Sequence, residues 1–222
     1  MKCDFHVHTQ FSFDSLAKIE KILKKAKEKG IDCIAITDHN EIEGAKKALE
    51  ISKDFGILVI PGIEVKSKEG DIIGLNTKEK IEPKLTAKET IKKIKEMGGF
   101  VILPHPFAFW ENFKGNLNEI INEIDAIEIY NASVIGKGNE KAENFVKKYN
   151  LPFVAGSDAH FPEFVGKAFV EIEGENLTIE EIFKKIKNKE IKIKKEKISF
   201  FEKALAHIKR NLAKIINYVG RK

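Results

Sequence analysis

Five of the six histidines in this chain fall in four short segments: His6-Val7-His8, Asp38-His39, Pro104-His105-Pro106 and Asp158-Ala159-His160. Each segment follows a short apolar run of strand type. Histidine is scarce in most proteins, and its imidazole is the commonest transition-metal ligand. A chain that sets nearly all its imidazoles just past strand ends is building one metal site.

His6 and His8 stand at i and i+2 of one strand, so both point to the same face and can chelate one ion. Phe11-Ser12-Phe13-Asp14-Ser15 then puts a carboxylate on the following loop. Asp14 reads equally well as a ligand or as the cap of a helix beginning near Leu16. Glu64 follows the bend at Pro61-Gly62 and could bridge two ions, although a lone glutamate there is more often a surface residue. Two prolines stiffen the loop around His105, and Asp158 and His160 share one side of a short extended segment. Mixed imidazole and carboxylate ligation suits Zn, Mn or Fe rather than Ca. The number of donors exceeds one tetrahedral ion, which points to two or three. Ions roughly 3.5–4 Å apart can hold a hydroxide and polarise a phosphoryl oxygen for in-line attack.

The elements that must position these residues alternate. Strands are expected over 2–7, 31–37, 58–63, 71–75, 100–103, 126–130, 152–155 and 168–172, with 69–70 as a hairpin turn. Helices are expected over 16–29, 42–55, 87–97, 117–124, 140–149 and 179–188. Alternation of this length implies βαβ units and a mainly parallel sheet with both faces buried. An open doubly wound sheet gathers side chains from two strands at its switch point. Here at least five strand ends contribute, as on the rim of a closed barrel.

Residues 198–219 carry a separate signal. Phe201, Leu205, Ile208, Leu212, Ile215 and Val219 recur at steps of three and four, an amphipathic helix. It is expected to pack on the outside of the barrel, with oligomerisation through it as a second use and a membrane-surface role a distant third. The domain division is therefore 1–195 for the barrel and 196–222 for the helix.

The 222 residues suffice for one sizeable core, and 42% hydrophobic with 33% charged residues is a soluble, globular balance. No apolar run approaches a membrane span of about 20 residues. The chain starts directly on a strand, which suggests a cytoplasmic location. Cys3 and Cys33 read as buried free thiols. The bias toward Lys, Glu and Ile suits a thermophile with mixed surface ion pairs. A net charge of +5 does not by itself imply nucleic acid, and the basic run over 184–197 reads as a solvated face.

The ordered set His-x-His-Thr, Ser-x-Asp-Ser, Thr-Asp-His, Pro-Gly-x-Glu, His-Pro and Ser-Asp-Ala-His, from Cys3 to about Gly166, resembles the polymerase and histidinol phosphatase (PHP) family. The resemblance implies a distorted (β/α)7 TIM-like barrel, a multinuclear metal site and phosphoesterase activity. It implies that one ion takes His6, His8, Glu64 and Asp158, a second shares Glu64 and takes His105, and a third takes Asp14, His39 and His160. Glu64, Asp158 and His160 would form the catalytic heart of that centre. Two departures stand out. Asp71 lies three residues before Gly74, where many members carry a histidine, and is a further candidate ligand. Some members place a histidine after the segment that reads here Glu128-Ile129-Tyr130-Asn131; this chain has none there, and Asn131 is a candidate to fill in.

The rest of the site is thinly specified. Asp4 and Asp38 are candidates to orient imidazoles. Lys137, between two glycines, and Lys167, after Gly166, are candidate phosphate contacts. No arginine precedes Arg210, so the barrel itself lacks a bidentate phosphate fork. Phe107, Phe109 and Trp110 are placed to form a lid or a stacking wall. The expected activity is hydrolysis of phosphate mono- or diesters of small phosphorylated molecules such as nucleotides, with nucleic acid as another possible partner. The alternatives are an amidohydrolase-type enzyme acting on a C–N bond and a non-catalytic, nucleic-acid-associated PHP-like subunit.

Overall fold

A computed structural model describes residues 1–196 and 198–220. Lys197, Arg221 and Lys222, at the ends of the expected basic run and terminal helix, lie outside the described residues. The strands are β1 (Lys2–Val7), β2 (Cys33–Ile36), β3 (Leu58–Lys66), β4 (Asp71–Leu75), β5 (Phe100–Leu103), β6 (Ala126–Asn131), β7 (Phe153–Gly156), β8 (Ala168–Ile172) and β9 (Ile191–Lys195). The helices are α1 (Ile19–Glu28), α2 (Glu43–Phe55), α3 (Ala87–Glu96), α4 (Gly138–Tyr149), α5 (Ile179–Lys187) and α6 (Phe200–Gly220).

The sheet runs β7-β6-β5-β4-β3-β2-β1-β8-β9. β1, β2 and β3 are parallel, as are β5, β6 and β7. β4 runs antiparallel to both neighbours, as the second arm of the expected hairpin. The outer edge of β1 is shared. Its first residues pair with β8, while at the rim Val7 bridges Ala159 and the His8 N–H bonds the Ala159 carbonyl (2.9 Å). That bridge nearly closes the sheet into a distorted barrel.

Two apolar layers hold it. Outside the strands, Ile22, Leu23 and Ala26 of α1 and Ala45 and Ala48 of α2 pack with Ile34 and Ile36. At about 1.5–3 kcal/mol for each large aliphatic side chain buried, this face holds α1 in place, and Leu23→Ala costs about 2–5 kcal/mol. The inner cluster joins Cys3, Phe5, Cys33, Ala35, Ile60 and Ile102 to Ile182 and Ile186 of α5, whose Phe183 stacks on Phe100. Both cysteines are free and buried.

Plain alternation along β1 would continue Cys3 and Phe5 with Val7 on the inner face. The register shifts between Asp4 and Val7, a bulge that turns Val7 to the outer cluster instead. His6 and His8 then project into the barrel mouth. A second shift, between Glu128 and Tyr130, lies at the rim end of β6.

Three expectations are corrected. The helix expected over 117–124 is a single 3-10 turn, Leu117–Glu119, because the segment buries one apolar side chain, Ile120, and is too short to propagate. The basic run keeps its β9 lysines in solvent, as expected, but it also holds a strand not expected, β9, where Ile191 and Ile193 alternate with those lysines on the sheet edge. The apolar stripe of α6 does not pack on the barrel. Phe201, Leu205, Ile208, Leu212, Ile215 and Val219 are all more than half exposed. The opposite face docks, over the barrel mouth, because it makes polar bonds there. Lys203 donates to the Val134 carbonyl (2.7 Å), and Asn217 to the carbonyls of Phe13 (3.0 Å) and Ser15 (3.2 Å). Ala213 is buried beneath it.

Candidate metal centre

The candidate ligands reach the mouth from several strands and the loops that follow them. The two His-x-His imidazoles come from β1 and its bulge. Thr9 ties that loop to the end of β2, its N–H donating to Asp38 Oδ1 (2.6 Å) and its hydroxyl to Oδ2 (2.7 Å). Gly44 of α2 lies directly against this pair, and a Cβ there would collide with Asp38 and Thr9. Burial pushes Asp38 up to about 7 despite the Thr9 bonds. His105 (φ +29°) and Asp158 (φ +51°) both adopt the sparsely populated left-handed side of backbone space, a local strain found where loops are held for function.

Glu64 is the hub. Its Oε2 lies 3.3 Å from His6 Nε2, 3.3 Å from His8 Nε2 and 3.0 Å from His39 Nδ1, and its Oε1 lies 3.2 Å from His105 Nε2. Asp158 Oδ1 lies 3.2 Å from His8 Nε2 and 3.6 Å from His6 Nε2. Asp14 joins His160 Nε2 (3.3 Å) to His39 Nε2 (3.4 Å). Helix α1 begins after Lys18 with no side-chain cap, so Asp14 does not cap it. Asp71 is buried beside Glu64 and His39 but is also paired with Lys66 (2.9 Å).

The far nitrogens of the imidazoles are already committed. His6 Nδ1 donates to Glu128 Oε1 (3.1 Å), His105 Nδ1 to the Glu111 carbonyl (3.2 Å) and His160 Nδ1 to the Asp158 carbonyl (3.0 Å). The Ser12 hydroxyl donates to Asp14 Oδ1 (3.0 Å) and accepts from His8 Nδ1 (3.4 Å). The Nε2 atoms therefore face carboxylate oxygens across gaps that a proton or a metal ion would fill. His8 Nε2 and His160 Nε2 are buried with no hydrogen-bond partner. Donor atoms of His6, His8 and Asp158, of His6, Glu64 and His105, of His8, His39 and His160, and of His39, Glu64 and Asp71 lie within 4.8 Å of one another in each set. The residues fit divalent transition-metal ions.

The electrostatics agree with that fit. Burial works against ionised carboxylates, but the facing imidazoles outweigh it. Asp14, Glu64 and Asp158 are held well below the usual carboxylate range. Burial, with His160 and His39 beside it, pushes His8 well below its ordinary value, so it is a neutral donor.

The orienting carboxylate differs from those expected. Asp4 accepts from the Ser157 (2.8 Å) and Gly166 (2.9 Å) amides and touches no imidazole, and Asp38 serves Thr9. Glu128 does the orienting, since besides His6 it accepts from the His105 amide (2.9 Å) and the Asn131 side chain (3.0 Å). Asn131 also reaches Asp158 Oδ2 (3.3 Å). In sequence, Glu128 looked like an ordinary strand residue, the third of β6.

Above the ligands opens a cleft of about 300 Å³, bounded by His105, Asp158, Phe109, Trp110, His207 and Lys214 among others. Phe109 and Trp110 are largely exposed and meet edge to face, and Trp110 leans on the His207 ring at 5.7 Å. Phe107 instead packs against Phe145. Neither candidate phosphate lysine is brought to this cleft. Lys167 pairs with Glu196 (2.7 Å), and Lys137 precedes the first turn of α4. Arg210 comes from α6 and is almost wholly buried. Its Nε bonds Asp14 Oδ2 (2.6 Å), Nη1 and Nη2 bond Glu111 (3.2 and 3.1 Å), and Nη2 bonds His39 Nε2 (3.1 Å). The stripe pattern pointed away from this face of the helix.

A sequence profile of the PHP domain matches residues 4–193. An uncharacterised protein of Methanocaldococcus jannaschii is 41% identical over 143 residues, 60% of this chain and 82% of that protein. The DNA polymerase III subunit alpha of Aquifex aeolicus is 30% identical over 201 residues, 81% of this chain but 17% of the polymerase subunit. Among solved structures, a two-domain Bacteroides vulgatus protein containing a predicted PHP-like metal-dependent phosphoesterase superposes with a TM-score of 0.74. That likeness is 19% identical and covers 88% of this chain and 65% of the other, so it speaks to the fold.

Proposed function

The chain belongs to the PHP domain family, and on that premise we propose that it is a metal-dependent phosphoesterase. It hydrolyses phosphate mono- or diesters at a centre of two or three divalent ions, Zn, Mn or Fe. The observation that carries this reading is the Glu64 carboxylate facing four imidazoles, three of them by Nε2.

His6, His8, Glu64 and Asp158 would hold one ion and Glu64 with His105 a second, while Asp14, His39 and His160 offer a third seat. Ions bound there would acidify a water and polarise a phosphoryl oxygen. The protein does the rest. Glu128 and the Glu111 carbonyl keep the His6 and His105 lone pairs aimed inward. Asp158, ionised and buried at the floor of the cleft, orients the attacking water by accepting its proton in a hydrogen bond. His207 and Lys214 set basic groups on the wall opposite, where an anionic substrate enters. The exposed Trp110 ring, with Phe109 edge-on beside it, offers an apolar face that suits the base of a nucleotide or the end of a nucleic-acid strand.

Metal content per chain and p-nitrophenyl phosphate turnover, each measured with a His6→Ala/His8→Ala control, test this reading. Bound transition metal and activity, both lost in the control, are expected. Turnover confined to a parallel amide and deaminase panel would favour an amidohydrolase. No metal uptake even with added Mn would leave a scaffold.

A further inference from the structure

We propose that the Arg210 guanidinium is a built-in cation at the third seat, so that the closed chain binds two divalent ions rather than three. This rests on the metal-dependent reading above and specifies its stoichiometry.

The seat is defined by geometry. Nitrogens of His8, His39 and His160 converge within 4.8 Å, and Asp14 touches the Nε2 atoms of His39 and His160. Arg210 Nε takes Asp14 Oδ2 (2.6 Å) and Nη2 points at His39 Nε2 (3.1 Å). When His39 carries its one proton on Nδ1, 3.0 Å from Glu64 Oε2, its Nε2 lone pair faces Arg210 Nη2 at 3.1 Å. A metal ion would need that same lone pair. The two occupants therefore exclude each other at His39.

The guanidinium is held from the other side as well. Glu111 takes Nη1 and Nη2 in a two-pronged pair at 3.2 and 3.1 Å, and the α6 backbone is anchored by Lys203 and Asn217. Arginine does not lose its proton in proteins, so the charge is permanent. Two carboxylates, Asp14 and Glu111, balance it in a nearly dry setting, and removing it would strip each of its arginine partner. The His6–His8–Asp158 and His6–Glu64–His105 sets contain no atom that Arg210 touches. They stay open to ions while the third seat is filled.

The test is Mn(II) stoichiometry on the full chain, read by elemental analysis after gel filtration and by calorimetric titration. Wild type should hold two ions, and Arg210→Gln should hold three. His39→Gln, which leaves the arginine in place, should still hold two and guards against misfolding of the first variant. Three ions in wild type, two in a folded Arg210→Gln, or one in His39→Gln would each overturn the proposal while leaving a metalloenzyme. No ions in any form would overturn both this proposal and the metal-dependent reading.

Discussion

Glu128 Oε1 lies 3.1 Å from His6 Nδ1, while its Oε2 accepts the backbone N–H of His105 at 2.9 Å. One carboxylate on β6 thus fixes the ring of one candidate ligand and the loop of another. Glu128→Gln keeps the shape but weakens both bonds. Its expected effect is roughly 10–100-fold weaker metal binding with the fold intact. A chelator competition titration measures this, and unchanged affinity would remove Glu128 from the orienting role.

Gly156 sits where β7 passes β1. A Cβ there would overlap the His6 Cβ and lie 2.7 Å from Glu128 Oε1 and 2.9 Å from the His6 amide. All of these are held in place by neighbours, so Gly156→Ala should cost about 1–3 kcal/mol and lower the thermal midpoint by roughly 5 °C. Thermal unfolding of the metal-free protein reads it directly. A midpoint equal to wild type would mean that the strands can part at no cost.

Metal uptake should depend on pH through His105. Burial opposes its proton, but the Glu64 hydrogen bond and the charges of Glu64, Glu128 and Asp158 raise it from 6.5 to about 9. This proton stabilises the metal-free fold fully below pH 6.5, and that contribution is lost as pH rises through 9. An ion must displace this proton, and those that burial-opposed His6 and His39 also hold against Glu64, so apparent affinity should rise at least about tenfold per pH unit across that window. Calorimetry in buffers of different ionisation enthalpy should show proton release, and an affinity flat with pH would contradict the assignment.

The two faces of α6 should answer differently to substitution. Ile208 and Leu212 face outward, and serine at either should change stability by no more than about 0.5 kcal/mol. Ala213 is buried against the barrel, and leucine there should cost about 1–3 kcal/mol and lift the helix. Chemical denaturation of the three variants compares them. Equal effects would mean that the helix docks by another face.

Much of the fold was legible because apolar runs such as Phe100–Leu103 ended in residues with chemistry, and strand and helix periods did not overlap. The convergence of His6, His8, His39, His105 and His160 was legible from one rule, placement after strands. What escaped depended on the third dimension. No pattern announces the bulge that turns Val7 outward and His6 inward. The stripe of α6 gave the helix but misdirected its facing, because Lys203, Arg210 and Asn217 find partners at the mouth that outweigh apolar contact. Glu111 and Glu128 were ordinary glutamates until the fold brought the Glu111 carbonyl to the His105 ring and the Glu128 carboxylate to the His6 ring.

The seam between Val7 and Ala159 has a bearing on time rather than energy. Nearly the whole barrel lies between these residues in the chain, so their meeting is a large ring closure, late on any folding route in which local hairpins and helix–strand units come first. His8 sits on one lip of that seam, and Asp158 and His160 on the other. An ion spanning them would act as a clasp applied after the ring has shut. Its main kinetic signature would be slower unfolding with little change in folding rate, and the loaded protein would outlast the bare one by more than its equilibrium stability at the start of folding suggests.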